Sequence, residues 1–263
     1  MTIPVIYSAD NNYAQHLGVS IFSLCENKNK DTNLIIYILD GDISENNKNK
    51  LNQIVQPYKN KIKFIQINDK ILKIIKSLKI HSHFTIPTYF RLLIPKIVPE
   101  EKIIYLDCDT IVQKDLSDLF KINLDDKAIG AVEALSKKEN LQRKPEIKNI
   151  YINSGVMLIN CYNWNKFNIT EKTIEFAQTY PEKIESVDQD AINYTCQDYI
   201  KVIDRKFNTE VRQPENKLKK HNLNINKIHI IHYIGGIKPW HFLYYGPFKK
   251  IYKKYLKKTP WKN

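Results

Sequence analysis

Two aspartates one residue apart, Asp107 and Asp109, interrupt the apolar run IIYLDCDTIV at residues 103–112. In an extended segment, residues two apart share a face. Their carboxylates therefore repel unless a cation lies between them or one of them holds a proton. A hard divalent cation, bound by carboxylate oxygens and bridging to phosphate, would turn this pair favourable. A strand end with two solvated acids is the plain alternative for the tripeptide by itself. A second polar cluster, HYIGGIKPWH at residues 232–241, follows a late apolar run. His232 offers an imidazole, a borderline ligand for such a metal. Gly235 and Gly236 let backbone amides approach a phosphate closely, and Lys238 supplies a cation for a diphosphate. A core histidine before a glycine turn is the bland reading of the same residues.

The elements that must position these groups alternate in the first third of the chain. IPVIYSA (3–9) reads as a strand, and a helix is expected from about Tyr13 to Glu26, with Leu17, Ile21 and Leu24 on its apolar face. NLIIYILD (33–40) is a second strand. Ser44 caps a second helix that carries Leu51, Ile54 and Val55, and IKFIQI (62–67) is a third strand. Strand and helix in alternation predict an α/β fold with a largely parallel, doubly wound sheet. Ligands bind beyond the carboxyl ends of strands in such sheets. SADNNY after the first strand and the aspartates after IIYL both fall there. Farther on, AIGAVEA and YINSGVMLIN read as strands, and ITEKTIEFAQTY reads as a helix capped by Asn168 or Thr170. KIHIIHYIG is a last strand, and KKENLQRKPEIKN (137–149) is expected to be a polar, charged loop.

Composition narrows the partners. The 263 residues suit one large α/β domain or two small ones, and the formal charge of +13 favours anionic partners. The N-terminus lacks the basic start of a secretory signal, and no apolar stretch is long enough to span a membrane. Four widely spaced cysteines without a CxxC argue for a reducing cytoplasm rather than for a disulfide framework or zinc site. The charge excess peaks in the last sixteen residues, which hold seven lysines and no acid. The expected organisation is one main domain over residues 1–246 and a basic amphipathic tail over 247–263.

Taken in order, YSADNNY, PTYFRL, YLDCDTIV, NSGVMLIN, VDQDAIN and HYIGGIKPWH resemble glycosyltransferase family 8, from about residue 3 to residue 245. The resemblance implies the A-type nucleotide-sugar fold, a Rossmann-like, mainly parallel sheet flanked by helices, here with a small basic C-terminal helix, and makes residues 1–246 the catalytic domain. It also implies retaining transfer of galactose or glucose from UDP-galactose or UDP-glucose, dependent on manganese, with magnesium as the alternative. By the same resemblance Asp107, Asp109 and His232 are the metal ligands. Asp10 and Asn12 face the uracil, with the Ser8 backbone nearby, and the Cys108 backbone touches the ribose. Arg91 lies near the donor's phosphate or sugar, and Gly235 and Lys238 hold the diphosphate.

In the family pattern Asn153, Asp188 and Gln189 surround the donor sugar. Front-face retention is expected, with the Gln189 carbonyl stabilising positive charge and Asp190 as the alternative nucleophile. Acids in the first turn of a helix would explain VDQD equally well. One departure from the family is that Glu133 and Ala134 stand where members often carry a sugar-contacting Asp.

The implied acceptor is a glycolipid or oligosaccharide of the lipopolysaccharide or lipooligosaccharide kind, at the inner face of the cytoplasmic membrane. The tail fits that setting. Phe248, Ile251, Tyr252, Tyr255 and Leu256 recur at helical spacing, and lysines fill most of the positions between them. Such a helix is expected to lay its aromatic stripe into the headgroups of an anionic membrane, and a helix docked on its own domain is the alternative. Nucleic acid is not expected as a partner, since no RNP-like or helix-turn-helix pattern occurs. The rival to an enzyme is a basic, non-catalytic binder of sugar nucleotides or nucleic acid.

Overall fold

The computed structural model describes residues 1–78, 86–213 and 225–262. Within them the strands are β1 (Thr2–Asp10), β2 (Asn33–Gly41), β3 (Lys61–Gln66), β4 (Lys102–Leu106), β5 (Thr110–Val112), β6 (Ile129–Glu133), β7 (Ile152–Asn160), β8 (Ile200–Val202), β9 (Thr209–Val211) and β10 (Ile230–Tyr233). The helices are α1 (Ala14–Asn27), α2 (Glu45–Val55), α3 (Asp69–Lys76), α4 (Ile94–Ile97), α5 (Ser117–Phe120), α6 (Lys137–Arg143), α7 (Cys161–Lys166), α8 (Ile169–Thr179), α9 (Val187–Thr195) and α10 (Pro247–Leu256).

A seven-stranded sheet runs β3-β2-β1-β4-β7-β6-β8, and a three-stranded sheet runs β5-β10-β9. Strands β3, β2, β1 and β4 are mutually parallel, while β7 is antiparallel to both β4 and β6. Both faces are covered. Ile3, Val5 and Tyr7 enter one core with α1, whereas Ile6 enters the other. That is why these strands read as continuous apolar runs rather than as alternating ones. From β1 the chain winds outward through β2 to β3, and β4 returns on the other side of β1. The crevice at this reversal lies off the carboxyl ends of β1 and β4. Asp10 ends one strand, and Asp107 follows the other directly.

Four expectations change. The aspartate pair follows β4, which stops at Leu106, but is not extended: Asp107–Asp109 form the turn that carries the chain from the large sheet to the small one. The turn is fixed by Asp107 N donating to the Gly155 carbonyl at 2.8 Å and Tyr233 N donating to the Asp109 carbonyl at 3.0 Å. The segment 137–149 is not all loop, since its first half is α6 and Lys144 is buried. Asn168 stands at the head of α8 but is left-handed, with φ of 53°, and makes no side-chain cap. Thr170 is no cap either, since its hydroxyl donates to the Leu92 carbonyl at 2.6 Å.

The fourth change concerns the tail, whose last residue lies outside the described ones. The stripe expected to enter lipid headgroups is instead packed inward: Phe248, Tyr252 and Tyr255 are buried in the core that also holds β1 and α1. Tyr255 Oη accepts from Asn27 at 2.8 Å, and Tyr252 Oη meets His16 Nδ1 at 2.7 Å. Trp261 lies on Gly18 of α1, where an added Cβ would come within 2.4 Å of the indole. An apolar helical stripe predicts burial but not what buries it, and here α1 does so. Tyr252→Ala should therefore lower the unfolding free energy by about 3 kcal/mol. Urea titration followed by circular dichroism reads this directly, and an unchanged midpoint would show that the docking contributes nothing.

Candidate active site

A cleft of about 280 Å³ opens at the crevice, lined in part by Ser8, Asp10, Tyr13, Arg91, Asp107, Cys108, Asp109, Gly235, Lys238 and His241. Ser8, Asp10, Arg91, Asp107, Cys108, Asp109, Gly235 and Lys238, eight residues singled out in the sequence, thus meet around one space together with Gly236. Asn12 is exposed and is not among the lining residues; Tyr13, beside it, is. The short 3₁₀ turn Asn11–Tyr13 sets this exchange, because Asp10 Oδ1 accepts from Tyr13 N at 3.1 Å.

At the floor, the ligand atoms of Asp107, Asp109 and His232 lie within 4.8 Å of one another. Strand β10 is antiparallel to β5, and this register sets His232 opposite Thr110, beside the aspartate turn. His232 Nε2 faces Asp109 Oδ1 at 3.2 Å and Asp107 Oδ2 at 3.7 Å. Asp109 Oδ1 is buried without a hydrogen-bond partner, which is costly unless a cation meets it. The opposite wall is equally bare. A Cβ on Gly155 would stand 2.2 Å from His232 Cε1 and 2.6 Å from Asp107 Oδ2. Two carboxylates, one imidazole and an orphaned oxygen fit a divalent cation.

The imidazole is held from behind. Its Nδ1 lies 3.0 Å from Asn208 Oδ1, whose amide orientation is fixed because Asn208 Nδ2 donates to Asn153 Oδ1 at 2.8 Å. Nδ1 is then the donor, and the Nε2 lone pair is left for a metal. Asn153 Nδ2 continues to Glu210 Oε1 at 2.9 Å, and Glu210 accepts from Leu135 N. This buried chain runs from His232 to the backbone beside Ala134. Burial pushes the Glu210 carboxyl up from its usual range.

Arg91 is buried between two acids. Its Nη2 meets Asp107 Oδ1 at 2.9 Å and its Nε meets Asp188 Oδ2 at 3.1 Å, while Nη1 donates to the Ser154 carbonyl at 3.0 Å. Tyr105 supports it from below, 4.6 Å from ring centre to guanidinium, and donates to Asp107 at 2.6 Å. Burial raises the Asp188 carboxyl to about 6, against the pull of Arg91. Burial would likewise raise Asp109, but the Lys238 ammonium against it helps to hold that carboxyl well below the usual range. Lys238 Nζ reaches Asp109 Oδ2 at 2.5 Å and the Tyr233 carbonyl at 2.6 Å. Gly235, at φ of 82°, gives the turn that returns this lysine to the floor.

Of the residues expected around a sugar, Gln189 is half-buried. Its Oε1 accepts from Ser154 N at 3.3 Å and its Nε2 donates to Tyr151 Oη at 3.3 Å. Asn153 is wholly engaged in the chain behind His232. Asp190 is fully buried and takes four donors: Lys144 Nζ at 2.7 Å, Tyr151 Oη at 2.5 Å, and the amides of Glu185 and Ser186 at 2.8 and 2.7 Å. Its expected part as a nucleophile gives way to a structural one. Glu133 pairs with Lys137, and Ala134 is buried. Asn208, Glu210, Lys144 and Tyr151 are what the sequence reading missed. Asn208, Glu210 and Lys144 sit in segments without periodic or motif signal, Tyr151 opens a predicted strand just before a motif, and their burial or hydrogen bonds reveal them.

The family model for glycosyl transferase family 8 matches residues 4–243. General stress protein A of Bacillus subtilis is 31% identical, covering 98% of this chain and 94% of its own. Lipopolysaccharide 1,2-glucosyltransferase of Escherichia coli K12 is 29% identical over 98% of this chain and 79% of its own. Among solved structures, the galactosyltransferase LgtC bound to donor and acceptor sugar analogues superposes with a TM-score of 0.85 at 24% identity, covering 98% of this chain and 96% of that one. This last likeness is one of fold.

Two substitutions test the floor. Gly155→Ala should abolish manganese binding, because its methyl would occupy the space of His232 and Asp107. Asn208→Ala should weaken metal binding roughly ten- to a hundred-fold, while Asn208→Asp, which keeps an acceptor, should retain most of it. Manganese paramagnetic resonance reads both without turnover. Wild-type affinity in Gly155→Ala would refute the assigned floor.

Proposed function

The chain belongs to glycosyltransferase family 8 and is a glycosyltransferase, and we propose that it moves galactose or glucose from a UDP-sugar to a saccharide acceptor with retention of configuration. The observation that carries this reading is the Asp107–Asp109–His232 cluster at the floor of a cleft that also holds Asp10, Arg91, Gly235 and Lys238. Asp107, Asp109 and His232 would hold manganese, or alternatively magnesium. When bound, the ion would supply positive charge for a diphosphate leaving group.

The chain's own residues do the rest. Asp10 offers Oδ2 to the imide edge of uracil, since Oδ1 is engaged at Tyr13 N. The Tyr13 ring offers a face for the base. The backbones of Ser8 and Cys108 border the ribose side of the same cleft. Lys238, returned to the floor by a glycine turn, meets the diphosphate as negative charge grows on its β-phosphate, and Gly235 lets the backbone approach. Arg91 and Asp188 orient the sugar's hydroxyls, and the Gln189 carbonyl faces the anomeric carbon. We favour front-face displacement, in which the acceptor hydroxyl attacks on the side the UDP leaves. Asp190 is too thoroughly hydrogen-bonded to serve as the nucleophile.

The named lipopolysaccharide glucosyltransferase relative supports a glycolipid or oligosaccharide acceptor of the lipopolysaccharide kind. Four free, buried cysteines support a reducing, cytoplasmic setting, at the inner face of the membrane where such an acceptor is built. The functional division falls at Gly246, with donor chemistry over residues 1–246 and a basic outer face over 247–263.

Asp107→Asn or Asp109→Asn should abolish transfer and weaken UDP binding when manganese is present, because an amide cannot replace the lost charge. Lys238→Ala should lower kcat more than it raises KM, because the charge it meets peaks in the transition state. Assays with purified protein across a panel of UDP-sugars would identify the sugar. Near-normal turnover in both aspartate variants would refute the metal assignment, and a pure KM effect in Lys238→Ala would refute the role given to the lysine.

A further inference from the structure

Two surface features adjoin the cleft, and their outward-facing side chains are not among its lining residues. The first is the loop between the cleft and α10. Phe242 is 94% exposed, Leu243 69%, Tyr245 64% and Ile237 41%. Single exposed apolar residues are ordinary, whereas this many on one short loop mark an interaction site. The loop is tied down. Lys249 Nζ donates to the carbonyls of His241, Phe242 and Tyr244 at 3.0, 3.0 and 2.6 Å, and Gln213 Nε2 donates to the Tyr245 carbonyl at 2.5 Å. Tyr244 is buried against Tyr233. A fold that turns Tyr244 inward and holds its neighbours outward presents those neighbours to something.

The second feature is the outer face of α10. Lys250, Lys253, Lys254 and Lys257 are exposed at i, i+3, i+4 and i+7, one stripe opposite the buried rings of Phe248, Tyr252 and Tyr255. Lys258 is paired with Glu26 at 2.8 Å, but among the described residues these four lysines have no acidic partner within ion-pair distance. The helix itself carries no acid. Gly246, at φ of 102°, joins the apolar loop directly to the first turn of this helix, so the two features are contiguous.

We propose that loop 237–245 and the lysine stripe of α10 form one docking surface for an anionic lipid bilayer. Phe242, Leu243 and Tyr245 enter the boundary between headgroups and acyl chains, and the lysines lie over acidic headgroups. A nucleic acid or an acidic protein would engage the lysines and leave the apolar tip in water, so the pairing of the two favours lipid. The apolar contact is made by the loop and not by the stripe of α10, which is spent on the core. His241 of the same loop lines the cleft with Gly235, Gly236 and Lys238, so docking sets the cleft mouth at the lipid surface. The use of such docking rests on the glycolipid-acceptor reading; the docking itself does not.

Co-sedimentation of the full chain with vesicles separates the two. Wild type should bind phosphatidylglycerol-containing vesicles, release at high salt, and ignore pure phosphatidylcholine. Phe242→Ser/Leu243→Ser/Tyr245→Ser and, separately, Lys250→Glu/Lys253→Glu/Lys257→Glu should each reduce partitioning at least about ten-fold. Both should keep their thermal midpoint and their hydrolysis of soluble donor, read in the absence of lipid. Wild type remaining in the supernatant with anionic vesicles would overturn the proposal. So would wild-type partitioning by the serine variant, which would assign the lysines to polyanions in general. Loss of donor hydrolysis by wild type, with lipid binding intact, would instead strike at the glycosyltransferase donor reading and leave the docking standing.

Discussion

Carboxylate repulsion is the constraint around which this structure is arranged. Asp107, Asp109, Asp188 and Glu210 lie around a partly dry centre, and buried charges persist only when paired or hydrogen-bonded. Each has its own answer: Arg91 lies between Asp107 and Asp188, Lys238 and His232 meet Asp109, and an asparagine amide and a backbone N–H hold Glu210. Among the described residues, Asp109 Oδ1 is the fully buried oxygen of this group that is left without a hydrogen-bond partner. The elements follow from this need. The turn at Asp107–Asp109 joins two sheets so that β10 can bring His232 alongside, and β7 must carry glycine at 155 because the site leaves no room for a side chain.

Much of this was legible in the sequence. Runs of apolar residues alternating with helical periodicity give the β1-α1-β2-α2-β3 order, because parallel strands covered on both faces must be apolar throughout. The aspartate pair and HYIGGIKPWH were legible as chemistry because charged and glycine-rich stretches beside apolar runs are costly without a reason. The geometry of the pair was not. An i, i+2 spacing shares a face only in an extended chain, and the turn at Cys108 brings the two carboxylates toward His232 by a different route.

Asn208 and Glu210 show the opposite case. In KFNTEV they look like an unremarkable polar stretch, and only parallel pairing of β9 with β10 turns Glu210 toward the chain behind His232. The tail shows a third. Its stripe of Phe248, Tyr252 and Tyr255 has the same period whether it faces lipid or α1, so periodicity identifies a buried face without naming its partner. The distinction comes from specific bonds, such as Asn27 to Tyr255 and His16 to Tyr252, between residues more than two hundred positions apart.

Gln189 and Asp190 are neighbours in sequence and opposites in circumstance. Successive residues on a helix point about 100° apart, and α9 leaves Gln189 half-buried while it turns Asp190 into the core. There Asp190 is closed in by Lys144, Tyr151 and two amides, which leaves no oxygen free to approach a sugar. A nucleophile needs an accessible lone pair, and this carboxylate has none without breaking a buried ion pair. Its hold on Tyr151 nonetheless reaches Gln189, since Tyr151 Oη accepts from Gln189 Nε2 and Ser154 N donates to Gln189 Oε1. The amide is thereby pinned at both ends with its oxygen in a fixed direction. Lys144, delivered by the end of α6, neutralises the acid that anchors this arrangement. A segment expected to be a polar, charged loop is anchored because the buried Asp190 carboxylate takes Lys144 as its cation.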